Sequence, residues 1–154
     1  MATLRRLGLG QVEAGNFGRA GDDSTTVFHI RKRATIAEVN AGALPLVPSP
    51  GPGWKLRMVD IQAIAIGGNI DAVTTVDVVG TQATSAVKLA AFAQASLLRS
   101  VVLRPGIAGT TVLADGASFM PCDANTGITI ENTGNNITTG THIDFDIKFV
   151  VDAV

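Results

Sequence analysis

Near its C-terminus the chain alternates with a period of two. Ile143, Phe145, Ile147, Phe149 and Val151 are apolar, and His142, Asp144, Asp146, Lys148 and Asp152 are interleaved with them. Successive side chains of a strand point to opposite faces, so this segment has one core face and one wet face. A strand of this kind belongs to a sheet that covers a hydrophobic core on one side only.

The rest of the chain reads in the same terms. TTVFHIRKR is rich in strand formers and sets Phe28 and Ile30 against His29 and Arg31. Thr35 and Glu38 have the spacing of a capping box for a short helical turn, which Gly42 ends. PLVPSPGPG is expected to be an irregular loop, since no central strand tolerates so many prolines. WKLRMVDIQAIAIGG predicts a long strand, central and buried because its second half is apolar on both faces. TTVDVVG is a further strand, closed by Gly80. A strand over Val87 to Phe92, a helical turn and a strand ending before Pro105 come next. TTVLADGASF and GITIENTG follow as strand segments, with the turn cluster PCDANT between them.

Seven to nine short strands punctuated by turns predict an all-β fold, a jelly-roll-like β-sandwich with one or two short helical turns. The sixteen threonines suit half-buried pleated surface. Residues 25–154 form the sandwich domain. Residues 1–24 read as an extended N-terminal arm, in which Thr3 to Leu9 alternate basic and apolar groups before the turn-rich NFGRAGDDS.

Composition narrows the function. With 154 residues the default is one domain. Apolar residues make up 46% and charged residues 16%, for a net charge of −1. An ordinary soluble domain is about 25% charged. The balance excludes disorder and a strongly basic nucleic-acid binder. A net charge near zero promotes association, which suits a subunit that touches other subunits. The charge is also polarised. Residues 1–57 hold eight basic and four acidic groups (+4), and residues 58–154 hold four and nine (−5). Such polarity favours contacts between copies. No 18-residue apolar run spans a membrane, and the uncharged stretch from Val39 to Trp54 is broken by prolines. The N-terminus lacks the apolar core of a secretory signal, so synthesis in a cytoplasm is expected.

Chemistry-bearing patterns are sparse. GGNIDA is not a dinucleotide fingerprint, no Walker-type lysine follows a glycine loop, and GxSxG is absent. Cys122 reads as a buried small thiol rather than a nucleophile. Two histidines, His29 and His142, leave little for a metal centre. Asp144 and Asp146 read as a solvated strand face, and Asp22–Asp23 and Asp123–Asn125 as turn chemistry. No catalytic residue, cofactor or metal is expected, and the chain is not read as an enzyme. Arg31, Lys32 and Arg33, with Arg5 and Arg6, form the one basic cluster. No aromatic comb for stacking bases accompanies them, so a subunit-facing strand end is expected rather than a nucleic-acid site. Trp54 reads as the cover of a core edge. Its alternative role, lining a sugar site, makes a host-glycan-binding or fibre- and tail-associated β-sandwich module the second reading.

Taken together, FHIRKRATIAEVNAGALPLVPSPGPGWKLRMVDIQAIAIGG, TTVDVVGTQ, TVLADGASF, ANTGITIENTGNN and THIDFDIKFVV resemble the small structural proteins of tailed bacteriophages, most nearly head decoration (cement) proteins. The resemblance spans roughly Thr25 to Val151 and lies in layout and composition. It implies a virion protein on the capsid surface, assembled in the host cytoplasm, that bridges major capsid proteins as a homotrimer. It implies no catalytic residues, no nucleic acid and no membrane. In such proteins an N-terminal arm often reaches the capsid or a neighbouring subunit. The matching patch here is Leu4, Arg5, Arg6 and Leu7, with Arg31 and Arg33 as further candidate contacts.

Overall fold

The structure, a computed structural model, describes residues 26–113 and 116–154. The expected arm, 1–24, lies outside the described residues. Nine strands are described: β1 (Phe28–Thr35), β2 (Leu44–Val47), β3 (Trp54–Ile66), β4 (Val73–Gln82), β5 (Ser85–Ala93), β6 (Val102–Leu103), β7 (Thr110–Thr111), β8 (Ile128–Gly134) and β9 (His142–Ala153). They form two antiparallel sheets. Sheet I has the order β1-β9-β3-β6 and sheet II the order β2-β8-β4-β5-β7.

The pairing explains that order. β4 pairs with β5, β3 with β6, β2 with β8 and β1 with β9, all antiparallel. These pairs are nested, as in one long hairpin doubled about the β4–β5 turn. Rolling the hairpin brings β9 against β3 and β8 against β4, which makes two sheets from one ribbon. This is the jelly-roll winding, with the short β7 added beside β5.

The core lies between the sheets. β9 buries Ile143, Phe145, Ile147, Phe149 and Val151 and leaves His142, Asp144, Asp146 and Lys148 outside, as its alternation predicts. Phe145 meets Phe92 of β5 across the sandwich, with ring centroids 6.4 Å apart and planes tilted by 47°. Phe28 of β1 stacks on its cross-strand partner Phe149 at 5.6 Å. β3 pairs on both sides and is interior to its sheet, as expected. Its inner face holds Leu56, Met58, Ile61, Ala63 and Ala65, while Ile64 and Ile66 are only half-buried. A bulge at Val59 restores the alternation in step with β9.

The helical turn is where its caps place it. α1 (Ile36–Ala41) begins at Thr35, whose hydroxyl accepts the Glu38 N–H while the Glu38 carboxylate accepts the Thr35 N–H at 2.8 Å. Gly42, at φ 73°, closes the helix with its N–H on the Val39 carbonyl. Asn40 then docks the helix: its side-chain amide donates to the Ile137 carbonyl at 2.9 Å and accepts the Ile137 N–H at 2.8 Å.

Three expectations need correction. Gly80 does not close its strand: β4 runs on to Gln82, with Gly80, Thr81 and Gln82 paired to Val87, Ala86 and Ser85. LPLV, the start of the proline-rich segment, is not irregular loop but strand β2, paired with β8. It lies at the edge of sheet II, where the missing N–H of Pro45 is tolerated. TTVLADGASF is not a continuous strand. Among its described residues only Thr110–Thr111 pair, and Ala117–Phe119 form a 3-10 turn.

Gly80 shows how tightly the layers meet. A Cβ there would lie 2.7 Å from the Cys122 sulfur and 2.9 Å from a Leu89 methyl, closer than real contacts allow. Gly80→Ala is therefore expected to cost about 1–3 kcal/mol by overpacking, read as a lower urea midpoint with unchanged slope. Adding Cys122→Ala, which removes the sulfur, should recover part of the loss.

Candidate interaction surfaces

The two outer faces of the sandwich differ. Sheet I is covered by ion pairs. Arg33 grips Asp144 with two bonds, of 2.9 and 3.1 Å. His29 Nε2 lies 2.6 Å from Asp146, and Arg31 approaches the other oxygen of the same carboxylate at 3.5 Å. Arg57 grips Asp152 at 2.8 and 3.3 Å, and Lys148 stands 3.8 Å from Asp60. The cross-strand register produces these contacts: Arg33 lies opposite Asp144, and Arg31 opposite Asp146. Hydrogen bonds from Arg33 hold the Asp144 carboxyl below the usual carboxylate range and raise Arg33 in turn.

The candidate contacts Arg31 and Arg33 thus lie side by side on edge strand β1, exposed yet already paired within the chain. Lys32, between them, alternates to the inner side of the strand. An inward-pointing charge on an edge strand discourages open-ended strand addition. Leu4, Arg5, Arg6 and Leu7 lie outside the described residues. A shallow cleft of about 170 Å³ over β9 is lined by Arg31, Gln62, Ile64, Asp144, Phe145 and Asp146. That volume is below the roughly 300 Å³ of a small-molecule site.

A different surface, invisible to strand periodicity, follows β5. Between the 3-10 turn Gln94–Ser96 and β7 the chain exposes Leu98 (43%), Val101 (41%), Val102 (40%) and Ile107 (39%). Val102 belongs to β6, the other edge of sheet I. The segment is held rigidly. The Arg99 N–H donates to the Asn69 side chain at 2.8 Å, Ser100 N–H to the Ala65 carbonyl at 2.8 Å, and Ile70 N–H to the Leu97 carbonyl at 3.0 Å. Exposed aliphatics this close in sequence on a hydrogen-bonded backbone make the segment a candidate contact surface. The sequence signal was present in SLLRSVVLRPGI, where strand and helix readings compete.

The remaining residues singled out in the sequence have structural places. Cys122 is buried beside Gly80, and burial pushes its thiol pKa up. Asp123 accepts the Ala83 N–H at 3.1 Å and the Thr84 N–H at 2.8 Å. Trp54 is half-buried against the core, and its carbonyl accepts the Asn125 N–H. Among the described residues there is no group of three or more His, Cys, Asp or Glu able to hold a metal ion, and no helix is long and apolar enough to cross a membrane. Comparison with known proteins finds no matching family model, no matching curated protein and no matching solved structure.

Asp71 was not singled out by its sequence, yet it ties together the loops beside α1. Its carboxylate accepts the Thr138 hydroxyl at 2.6 Å and the N–H groups of Thr138 and Thr139 at 2.8 and 2.9 Å. These bonds, led by the Thr138 hydroxyl, lower its pKa from 3.8 to about 2. A depressed carboxyl stabilises the fold above its unfolded pKa, and the benefit disappears as pH falls through the folded value. Asp71→Asn should therefore lose stability relative to the parent by a constant amount above about pH 5. The gap should narrow between about pH 4 and 2, measured by urea unfolding at each pH.

Proposed function

We propose that this chain is a structural virion protein that decorates and stabilises the outer surface of a tailed-phage icosahedral head, bridging major capsid proteins as a homotrimer. The observation that carries the reading is the run of exposed aliphatics Leu98, Val101, Val102 and Ile107 in the hydrogen-bonded segment that contains edge strand β6. A decorating subunit performs no reaction. It needs a stiff body, apolar contact points and many repeats. The two-layer jelly roll supplies stiffness, and the aliphatic edge supplies contact area that loses hydration when covered. Weak contacts repeated across a symmetric shell are multiplied by effective concentration.

The low charge content supports the same reading, since a net charge near zero promotes association; the +4 and −5 halves meet within the chain, where Arg31, Arg33 and Arg57 pair with Asp146, Asp144 and Asp152. Residues 1–24 serve as the reaching arm in this scheme, with Leu4, Arg5, Arg6 and Leu7 as its contact patch. The subunit belongs on the capsid surface after assembly in the host cytoplasm. Recognition of a host glycan is the other reading, with Trp54, half-buried against the core, as the ring that would stack on a sugar.

Mixing purified protein with undecorated heads and pelleting them tests the proposal. The parent chain should co-sediment and raise the temperature at which heads release DNA. Val102→Asp combined with Ile107→Asp should weaken attachment at least about tenfold while leaving the far-UV spectrum unchanged. Deleting residues 1–24 should abolish attachment with the sandwich still folded. Undiminished attachment by both variants overturns the reading.

A further inference from the structure

The described arginines divide into two sets. Arg31, Arg33 and Arg57 of sheet I each hold an aspartate. Arg99 and Arg104 are exposed and form no ion pair among the described residues. Residues 78–114 carry three basic side chains and no acidic one, so nothing nearby in sequence neutralises them. Both arginines belong to the segment of exposed aliphatics. Arg99 bridges to Ala65 of β3, and Arg104 follows Leu103, which pairs with Ala63. The two positions therefore bracket Val101 and Val102 along the edge of β3. Ile107 is turned back towards Arg104, its N–H donating to the Arg104 carbonyl at 3.1 Å. Ser100, between Arg99 and Val101, has φ 62°, a left-handed conformation that is costly for a residue with a Cβ. Its N–H on the Ala65 carbonyl holds it there. Backbone strain of this kind clusters at binding sites.

We infer that this lip docks on an acidic protein surface: an apolar patch of the major capsid protein covers Val101, Val102 and Ile107, and carboxylates at its rim take Arg99 and Arg104. The inference rests on the shell attachment in the proposed function and names the chemistry of the partner. A guanidinium fork matches a carboxylate through two parallel N–H···O bonds, as Arg33 and Arg57 already do within this chain. A second copy is a poor source of such carboxylates. Those of sheet I face that sheet's own cations. Asp77 lies 2.8 Å from Lys88, and Glu38, Asp71 and Asp123 accept backbone N–H groups. Among the described carboxylates that leaves Glu131, so the acid has to come from a different protein. A lipid surface is a poor fit as well. Two cations fall short of the roughly four to eight that hold a segment on anionic lipid, and residues 97–107 have no Trp, Tyr or Phe for the interface. The same lack of rings disfavours stacking on nucleic-acid bases. In this contact the aliphatics supply affinity, and the arginines supply orientation and association rate.

Undecorated heads and the purified full chain test the inference. The parent should bind heads, and Arg99→Glu combined with Arg104→Glu should weaken binding at least about tenfold with unchanged circular dichroism. Arg99→Lys combined with Arg104→Lys keeps both charges and should stay within about threefold of the parent. Carbodiimide joins an amine to a carboxylate without a spacer. Applied to Arg99→Lys bound to heads, it should link position 99 to an aspartate or glutamate of the major capsid protein. Equal binding by the parent and the double glutamate variant, or a link from position 99 to another copy of this chain, overturns the acidic partner and leaves shell attachment standing. Sedimentation of the parent with phosphatidylserine vesicles, lost in the double glutamate variant, overturns it in favour of a lipid surface. A parent that does not bind heads overturns the proposed function and this inference with it.

Discussion

Everything in this molecule depends on β9 lying between β1 and β3. The strand is 12 residues long and pairs along most of its length on both sides. Its inner side chains reach the other sheet, with Phe145 against Phe92. Its outer carboxylates receive Arg33, Arg31, His29 and Arg57 from the strands on either side. One alternating sequence therefore builds half the core and most of the charged surface. A one-residue slip would bring Asp144 and Asp146 into the core and Phe145 into water, so the register is strongly specified.

Around that strand the jelly roll converts local order into a rigid body. Consecutive strands mostly alternate between sheets, so loops cross the ends of the sandwich and must be fixed there. Short side chains make those ties. Asp71 binds the loop ahead of β4 to the loop ahead of β9, Asn40 binds α1 to the same loop, and Asp123 holds the β4–β5 turn. The last is informative about strain. Ala83 and Thr84 have φ of 49° and 63°, a left-handed conformation that favours glycine or asparagine and disfavours a branched residue. Two hydrogen bonds from their N–H groups to Asp123 offset that cost.

Much of this was legible in the sequence. The period of two gave β9 its faces, the Thr35–Glu38 spacing located α1, and the sequence of strand, turn and short strand ending before Pro105 matches β5, the 3-10 turn and β6. What escaped has a common cause. β2 was masked by prolines that are tolerated only because the strand lies at an edge, and edge position is a tertiary property. The left-handed turn at Ala83–Thr84 lacks its usual residues because its stabilising carboxylate comes from Asp123, 40 positions away from Ala83. Asp71 and its partners Thr138 and Thr139 are 67 and 68 residues apart. Pairings at such separations leave no periodic trace. The basic cluster at 31–33 was visible as charge, while its neutralisation by β9 became visible only with the register.

The face of sheet I and the β6 edge therefore have different physical roles. Sheet I satisfies its own charges, whereas the β6 edge exposes aliphatic side chains. These surfaces are what the proposed role on a decorated shell draws on. The most direct measurement is electron cryo-microscopy of the native particle that carries this chain. The account predicts jelly-roll density outside the head lattice, clustered in threes, with the β6 edge against capsid subunits. Finding the sandwich singly, away from the head and with that edge in solvent, would contradict it.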